Sequence, residues 1–169
     1  MVGLEVPGWV TRGSGAVHEG ERRAFVGVGS VHGIRNPALA RSTADNRARA
    51  QIAKIFSTYS ASLMRDYAAS TAGGGGEGRD AARAREEQDV EQAIKTFSAA
   101  TLSGVEIADH WYHPHDGSVF SLARLDLDGF TAGLDQLREV SEKARDFVRG
   151  HAEAAHRQLE EEEARSLSR

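Results

Sequence analysis

Residues 104–126 read GVEIADHWYHPHDGSVFSLARLD, with apolar and polar side chains alternating on both sides of an Asp116-Gly117 pair. Asp-Gly is a strong signal for a tight hairpin turn, because such turns need positive φ angles that glycine adopts without strain. A two-residue turn at this pair places Trp111 opposite Leu122, whereas a four-residue loop shifts the pairing by two residues and keeps the same faces together. The stretch therefore predicts a β-hairpin that anchors the fold.

The two faces of this hairpin differ in polarity. One face carries Val105, Ile107, Trp111, Phe120 and Leu122. The other carries a more mixed set: Glu106, Ala108, His110, Tyr112, Val119, Ser121, Ala123 and Leu125. Because the more apolar side of a sheet packs against the core, we expect Ile107, Trp111 and Leu122 to face the helices.

The composition is that of one globular domain. With 169 residues, of which 40% are hydrophobic, the chain is long enough to build one core. The formal net charge of −4 gives no basic signal for a nucleic-acid partner, and none is expected. Without cysteine, these residues form no disulfide, thiolate metal site or lipidated cysteine. They also contain no apolar run long enough to span a membrane, and the start of the chain lacks a signal-peptide pattern.

The segments before the hairpin predict an arm, a strand and a helix. Residues 1–22 indicate an irregular N-terminal arm whose Trp9 packs on the body, and residues 23–32 alternate as a strand. Asn36-Pro37 favours a helix start, because Asn is a good N-cap and Pro suits the first helical position. The buried stripe of this helix is expected to contain Ala40, Ala44, Ala48, Ile52 and Ile55 or Phe56.

The middle of the chain is more ambiguous. Residues 58–67 are rich in Ser, Thr and Tyr and favour a strand, although the preceding helix continuing through Leu63 and Tyr67 is the alternative. Residues 71–83 include four consecutive glycines and predict a flexible loop. A second helix is expected over residues 84–100, and its apolar stripe contains Val90, Ile94 and Phe97.

A long third helix should follow the hairpin, capped by Asp126 or Asp128. Its buried side is expected to contain Phe130, Leu134, Leu137, Val140, Ala144, Phe147 and Val148. Residues 151–169 then form a charged C-terminal helix extension with a thin apolar stripe at Ala152, Ala155 and Leu159. Since little of the domain remains to bury this stripe, we expect weak homo-oligomerisation through this helix.

The element order is therefore β-α-β-α-β-β-α. This order predicts an α+β, two-layer sandwich, with a small antiparallel sheet and helices on one face. Residues 23–150 form its single domain, between the arm at 1–22 and the extension at 151–169.

The pattern Gly27-x-Gly29-x-x-x-Gly33 lies between a strand and a helix, as nucleotide-binding glycines do. Its spacing does not match GxGxxG, and the first two glycines fall inside the strand alternation. We therefore expect these glycines to allow close packing under a helix or a β-bulge, and no cofactor is predicted.

The hairpin histidines are the densest set of candidate metal ligands. They are His110, His113 and His115, with Asp109 and Asp116 beside them. Strand alternation sends His110 and His113 to opposite faces, while His115 lies at the turn. The sequence therefore predicts no metal site here.

Other residues with chemical potential have ordinary structural explanations. Asp126-x-Asp128-Gly129 fails the calcium-loop spacing and suits a helix cap. His18 and His32 are in no recognisable acid–base arrangement in the nearby sequence, and Ser30, Ser103 and Ser118 occur in no GxSxG motif. A basic set on the first helix, Arg41, Arg47, Arg49 and Lys54, indicates solvated surface, and Arg41, Asp45 and Arg49 form a solvated ion-pair row. No catalytic residue is predicted.

Four stretches together carry a family resemblance. They are Pro7–Val10, Phe25–Phe56, Thr101–Asp126 and the long helix that follows. With a glycine-bearing strand before LAR…A…AR and a W…DG…LARLD hairpin, the chain resembles the bacterial small outer-membrane lipoproteins typified by the twenty-kilodalton lipoprotein of Helicobacter, which include the flagellar lipoprotein FlgP. The resemblance covers about residues 7–150, with the glycine loop as an insertion.

The resemblance implies a non-enzymatic cell-envelope domain that works through protein–protein contacts in envelope or flagellar assembly. It implies helices packed on an antiparallel sheet, and a periplasmic or outer-membrane-anchored location. The family has no established catalytic residues to carry over. Its lipid anchor would precede residue 1, because this sequence has no cysteine. The alternative function is a metal- or small-ligand-binding enzyme that uses the hairpin histidines.

Overall fold

The computed structural model describes residues 5–71, 77–129 and 142–168. Its elements are α1 (Gly8–Arg12), β1 (Gly15–Glu19), β2 (Arg22–Val31), α2 (Pro37–Thr71), α3 (Glu77–Ser103), β3 (Glu106–Tyr112), β4 (Val119–Asp126) and α4 (Glu142–Leu167). Residues 127–129 are also helical. The four strands form one antiparallel sheet, so the α+β prediction is confirmed.

The sheet has the strand order β1-β2-β4-β3, and the hairpin at its edge has the longer of the two predicted loops. Trp111 pairs with Phe120, two residues from the register of a two-residue turn. The loop closes where the amide of His113 donates to the carbonyl oxygen of Ser118 at 2.9 Å. Gly117 has φ +71°, in the left-handed region that glycine adopts without strain.

The hairpin packs against α2 through the face opposite to the predicted one. Along β4 the buried residues are Val119, Ser121, Ala123 and Leu125, the more mixed set, and they lie on the α2 side. Trp111 and Leu122 lie on the other side, which we call the open face, and are only partly buried. A β-bulge at Ala108 changes the alternation in β3, so Ile107 pairs with Ala123 and faces the core as predicted.

The helix α2 supplies the main core stripe. Its N-cap is confirmed, since Asn36 Oδ1 accepts hydrogen bonds from the amides of Ala38 at 3.0 Å and Leu39 at 3.1 Å. The expected stripe is buried, with Phe56 at the final position. Beyond it, every buried residue lies three or four positions from the last: Tyr59, Leu63 and Tyr67. The strand predicted at 58–67 is therefore wrong, because this spacing continues one helical face.

The helix approaches the sheet most closely over two glycines of β2. A Cβ atom built on Gly27 would come closer than 3.0 Å to the carbonyl oxygen of Ala48, and one on Gly29 would come equally close to that of Ala44. The prediction that these glycines allow close packing under a helix is thus confirmed. Here the backbone of α2 occupies the space that a side chain would need.

Replacing Gly29 with Ala should lower the free energy of unfolding by about 1–3 kcal/mol, because α2 must move away from the sheet to admit the methyl group. Urea denaturation measures the change. Gly150 is the matched control, since it lies inside α4 with no atom within 4 Å of a built Cβ. Gly150→Ala should be neutral or stabilising by up to about 1 kcal/mol. Equal stability of Gly29→Ala and the wild type would contradict this account of the packing.

The N-terminal segment is more regular than predicted. Residues 8–12 form a short helix and residues 15–19 form strand β1, so the expectation of an irregular arm is wrong there. Strand β1 joins β2 through a tight turn at Gly20-Glu21, where Gly20 has φ +63°, and a carboxylate of the distant helix α4 bonds its outer edge. Trp9 does contact the body, where its Nε1 donates to Asp109 Oδ2 at 3.0 Å.

The C-terminal helix α4 is part of the core rather than a free extension. Its apolar stripe is covered by the chain itself, with Ala152 and Ala155 buried. Tyr59 Oη donates to the carbonyl oxygen of Ala152 at 3.2 Å, and the Glu163 carboxylate accepts a 2.9 Å hydrogen bond from the amide of Ala16. The stripe proposed for self-association therefore already has a partner within the molecule.

A buried histidine joins this helix to the sheet. His156 is fully buried, its ring packs against Phe25 at 5.1 Å, and its Nε2 donates to the carbonyl oxygen of Ala24 at 2.8 Å. Its Nδ1 has no hydrogen-bond partner. Burial lowers the pKa of His156, and the nearby charge of Arg23 lowers it further, against the opposing effects of the Ala24 hydrogen bond and Glu160.

The stability of the protein should therefore fall as the pH drops below 6.5. Since the folded state lowers the pKa of His156 from its ordinary value of 6.5, the unfolded state binds the proton first, and the contribution of the neutral ring is complete only above that pH. Urea midpoints at pH 7.5 and 5.5 measure the loss. His156→Gln should show a smaller pH dependence than the wild type. The same pH dependence in both proteins would contradict this assignment.

Other expectations extend beyond the described part of the chain. The described part of α3 begins at Glu77, so residues 77–83 are helical and not in the predicted loop, while the glycines at 73–76 lie outside the described residues. The side chains of two predicted stripes also lie outside them: Val90, Ile94 and Phe97, and Phe130, Leu134, Leu137, Val140, Ala144, Phe147 and Val148.

Candidate functional site on the edge hairpin

A polar cluster joins α2 to the hairpin. The Asp45 carboxylate accepts hydrogen bonds at the same oxygen, Oδ1, from Ser121 Oγ at 2.6 Å and from His110 Nε2 at 2.7 Å. Asp45 comes from α2, His110 from β3 and Ser121 from β4. His110 and Ser121 are cross-strand partners, so the sheet register places both donors under one carboxylate.

The cluster continues to the edge of the sheet through Arg41. Its Nη2 lies 3.2 Å from His110 Nδ1, and His110 Nε2 lies 2.7 Å from Asp45 Oδ1, so Arg41, His110 and Asp45 form one chain of polar contacts. Burial by itself would raise the pKa of Asp45. The hydrogen bonds from Ser121 and His110, together with the charges of His110 and Arg49, outweigh it and hold that pKa below its ordinary value of 3.8.

These residue types are those of a nucleophilic triad, but their geometry differs from one. In a triad the histidine lies between serine and aspartate and takes the proton of the serine. Here Ser121 and His110 both donate to Asp45, and Ser121 is fully buried. The cluster therefore positions the hairpin. It also corrects the expected solvated row of Arg41, Asp45 and Arg49, because the carboxylate of Asp45 turns inward to the sheet.

Removing the carboxylate should destabilise the protein. Asp45→Ala leaves two partly or fully buried donors without an acceptor, and we expect a loss of about 1–3 kcal/mol in the free energy of unfolding. Denaturant melts at neutral pH measure it, with the exposed Asp66→Ala on the same helix as the control. Equal stabilities of the two variants would show that the cluster contributes nothing net.

The tip of the hairpin holds the other two histidines. The rings of His113 and His115 lie 5.9 Å apart, and His113 Nδ1 is 3.1 Å from Asp116 Oδ1. His110 faces α2 and bonds Asp45, so the three hairpin histidines do not converge. Among residues 5–71, 77–129 and 142–168, no three His, Asp or Glu side chains are arranged to hold a metal ion.

The open face carries a row of rings along the hairpin. The Trp111 ring lies 5.3 Å from that of Phe120 and 5.4 Å from that of His113, and all three side chains are partly exposed. Trp9 adds an indole near the row through its hydrogen bond to Asp109. The Trp and His rings combine apolar area with a polar atom, and the Phe ring adds apolar area, which suits a protein–protein contact.

A groove of about 390 Å³ runs along the outer side of the Asp45 cluster. Its lining residues are Pro37, Ala38, Arg41, Ser42, Asp45, Asn46 and Arg49 on one side and Tyr112 on the other. The α2 residues recur every three or four positions, next to the stripe that packs on the sheet. The groove is therefore a channel between α2 and the edge strand β3.

The remaining candidate residues have structural contacts. Arg47 donates to the carbonyl oxygen of Ser30 at 2.6 Å, and Arg124 donates to Asp126 at 3.0 Å. His18 lies 2.5 Å from Glu160, an acidic partner that sequence separation hides. His32 lies 3.2 Å from Ser118, so the structure brings together two residues that the sequence treats separately.

Sequence reasoning missed the Asp45 cluster and the groove beside it. One signal was present: Ser121 lies among the buried positions of β4, and a buried hydroxyl needs a partner. The assignment of the open face to the core obscured that signal, because it placed Ser121 and His110 in solvent. With the facing corrected, the polar residues of the mixed face require an acceptor on α2.

No model of a protein family matches the chain, and no curated protein matches it. In the described part of the chain, every helix is too short or too polar to cross a membrane.

Proposed function

We propose that this chain is a non-enzymatic cell-envelope domain that acts through protein–protein contacts. The observation that carries the proposal is the row of partly exposed rings on the open face, Trp111, Phe120 and His113, beside the exposed edge strand β3. Aromatic residues are enriched at the centres of protein interfaces, because they bury a large area with few rotatable bonds.

The chemistry of the polar residues agrees with this proposal. Asp45 and Ser121 hold the hairpin against α2 from inside the protein. The hydroxyl of Ser121 is buried and donates to Asp45, so this cluster positions the hairpin surface. The hairpin thus presents the rings on a rigid support. Rigid aromatic side chains lose little conformational entropy when a partner binds.

The envelope part of the proposal is supported by the resemblance to small outer-membrane lipoproteins. We propose a periplasmic or outer-membrane-anchored location and a role in envelope or flagellar assembly. Any attachment to the membrane would come from a lipid at an N-terminal cysteine outside this sequence. The α+β fold with helices on an antiparallel sheet is the one that the resemblance implies.

Photo-crosslinking in the native host tests this function. The full-length protein carries benzoylphenylalanine at Phe120, and cell fractionation is read alongside the adducts. We expect the protein in the envelope fraction and a discrete protein adduct from position 120. The same label at the exposed Gln51 on α2 is the control and should give none. A cytosolic protein without adducts at either position would reject the proposal.

The alternative is a metal- or small-ligand-binding enzyme that uses the hairpin histidines. The geometry leaves His113, His115 and Asp116 as its candidate residues, since His110 is bonded to Asp45. Calorimetric titration with zinc discriminates between the two functions. Submicromolar binding that is lost in a His113→Ala/His115→Ala variant would favour the alternative, whereas weak or absent binding favours the protein-binding domain.

A further inference from the structure

We propose that the groove between α2 and β3 binds an extended acidic segment of a partner protein, which joins the sheet as an additional strand beside β3. This inference rests on the proposed function and names a docking surface and partner chemistry for it. It is carried by the exposed edge of the sheet, the charge of the groove and the spacing of two arginines.

The two edges of the sheet differ in what covers them. At the β1 edge, the amide of Ala16 donates to the Glu163 carboxylate of α4. At the β3 edge, the amide of His113 points inward to Ser118, and antiparallel alternation turns the N–H and C=O groups of Tyr112 outward. Tyr112 is 51% exposed. The next outward amide, that of His110, donates to the Asp109 carboxylate at 2.8 Å, so β3 offers its backbone groups for strand addition at Tyr112.

The charge of the groove selects an acidic partner. Arg41 and Arg49 both line it, and neither forms a salt bridge with a carboxylate of the residues that the structure describes. The acidic side chain in the lining, Asp45, already accepts hydrogen bonds from Ser121 and His110. Arg41 contacts the His110 ring, and the charge of Arg49 acts on Asp45 without a salt bridge, so both guanidinium groups can still pair with the carboxylates of a ligand.

The spacing of the arginines fits an extended strand. Arg41 and Arg49 are eight residues apart on one helix face, about 12 Å along the axis. In a strand, residues four apart face the same way and lie about 13 Å apart. The helix also runs along the strands, because Gly27 lies under Ala48 and Gly29 under Ala44. A strand added to β3 therefore presents acidic side chains to both arginines when they are four residues apart.

A synthetic peptide tests this geometry directly. The probe is a seven-residue peptide, acetylated and amidated at its ends, with glutamate at its second and sixth positions and threonine or valine elsewhere. We expect saturable binding by calorimetry and changes in the ¹⁵N amide shifts of His110 and Tyr112. A peptide with glutamates at the second and fifth positions, on opposite faces of a strand, should bind about tenfold more weakly. N-methylation of the central amides should abolish binding.

Protein variants test the two arginines. Arg49→Gln should weaken binding of the probe about tenfold, and it breaks no hydrogen bond between described residues. Arg41→Gln should weaken it similarly, and a thermal melt checks its folding because Arg41 also contacts His110. Arg65→Gln is the control, since Arg65 lies on the same helix outside the groove and should leave affinity unchanged.

The inference fails if millimolar probe does not bind, if both glutamate spacings bind equally, or if the shift changes map away from β3 and α2. Those failures are separable from failure of the proposed function. An adduct from position 120 in cells, without peptide binding to the groove, would keep the protein-binding function and overturn this docking surface. Loss of both results would overturn both proposals.

Discussion

The close approach of α2 to β2 is the constraint on which the rest of the structure depends. Gly27 and Gly29 leave no side chains between strand and helix, so the backbone of α2 lies directly on the sheet near Ala44 and Ala48. A helix at that height brings Asp45 within hydrogen-bond distance of β4. With a larger residue in β2, the helix would lie higher and the carboxylate would miss Ser121. The glycines thus determine the chemistry of the hairpin as well as the packing of the core.

The hydrogen bonds of the Asp45 cluster fix the position of the hairpin, and so of its exposed surface, relative to α2. Because one carboxylate oxygen holds donors from both strands of the hairpin, the hairpin cannot slide relative to α2 without leaving a buried polar group unsatisfied. The same contact fixes which side of the hairpin faces solvent. Trp111 and Phe120 lie on the open face as a consequence, and the groove forms where α2 passes the edge of β3.

Local sequence signals predict much of this fold, but they do not predict which face of the hairpin packs against the core. The helix start at Asn36, the glycine packing and the hairpin are predictable, since each depends on residues close in sequence. Polarity alone selects the wrong face of the hairpin for the core. The sheet residues where α2 comes closest are alanine, serine and glycine, which are small and give little hydrophobic signal in the sequence. The burial of His156 depends on contacts between the two ends of the chain. Such non-local contacts leave no periodic pattern in either segment.

The edges of the sheet show how the fold limits unwanted pairing while leaving one edge accessible. On the β1 side, α4 lies over the edge and a carboxylate occupies an edge amide. On the β3 side, the Asp109 carboxylate accepts from the amide of His110, and the bulge at Ala108 interrupts the ladder. Interrupted, charged edges resist indiscriminate strand addition. Only a short stretch near Tyr112 keeps its outward backbone groups, so a partner strand must also match the side chains of the groove to bind. Selectivity at this edge therefore comes from α2, the same helix that the two glycines hold against the sheet.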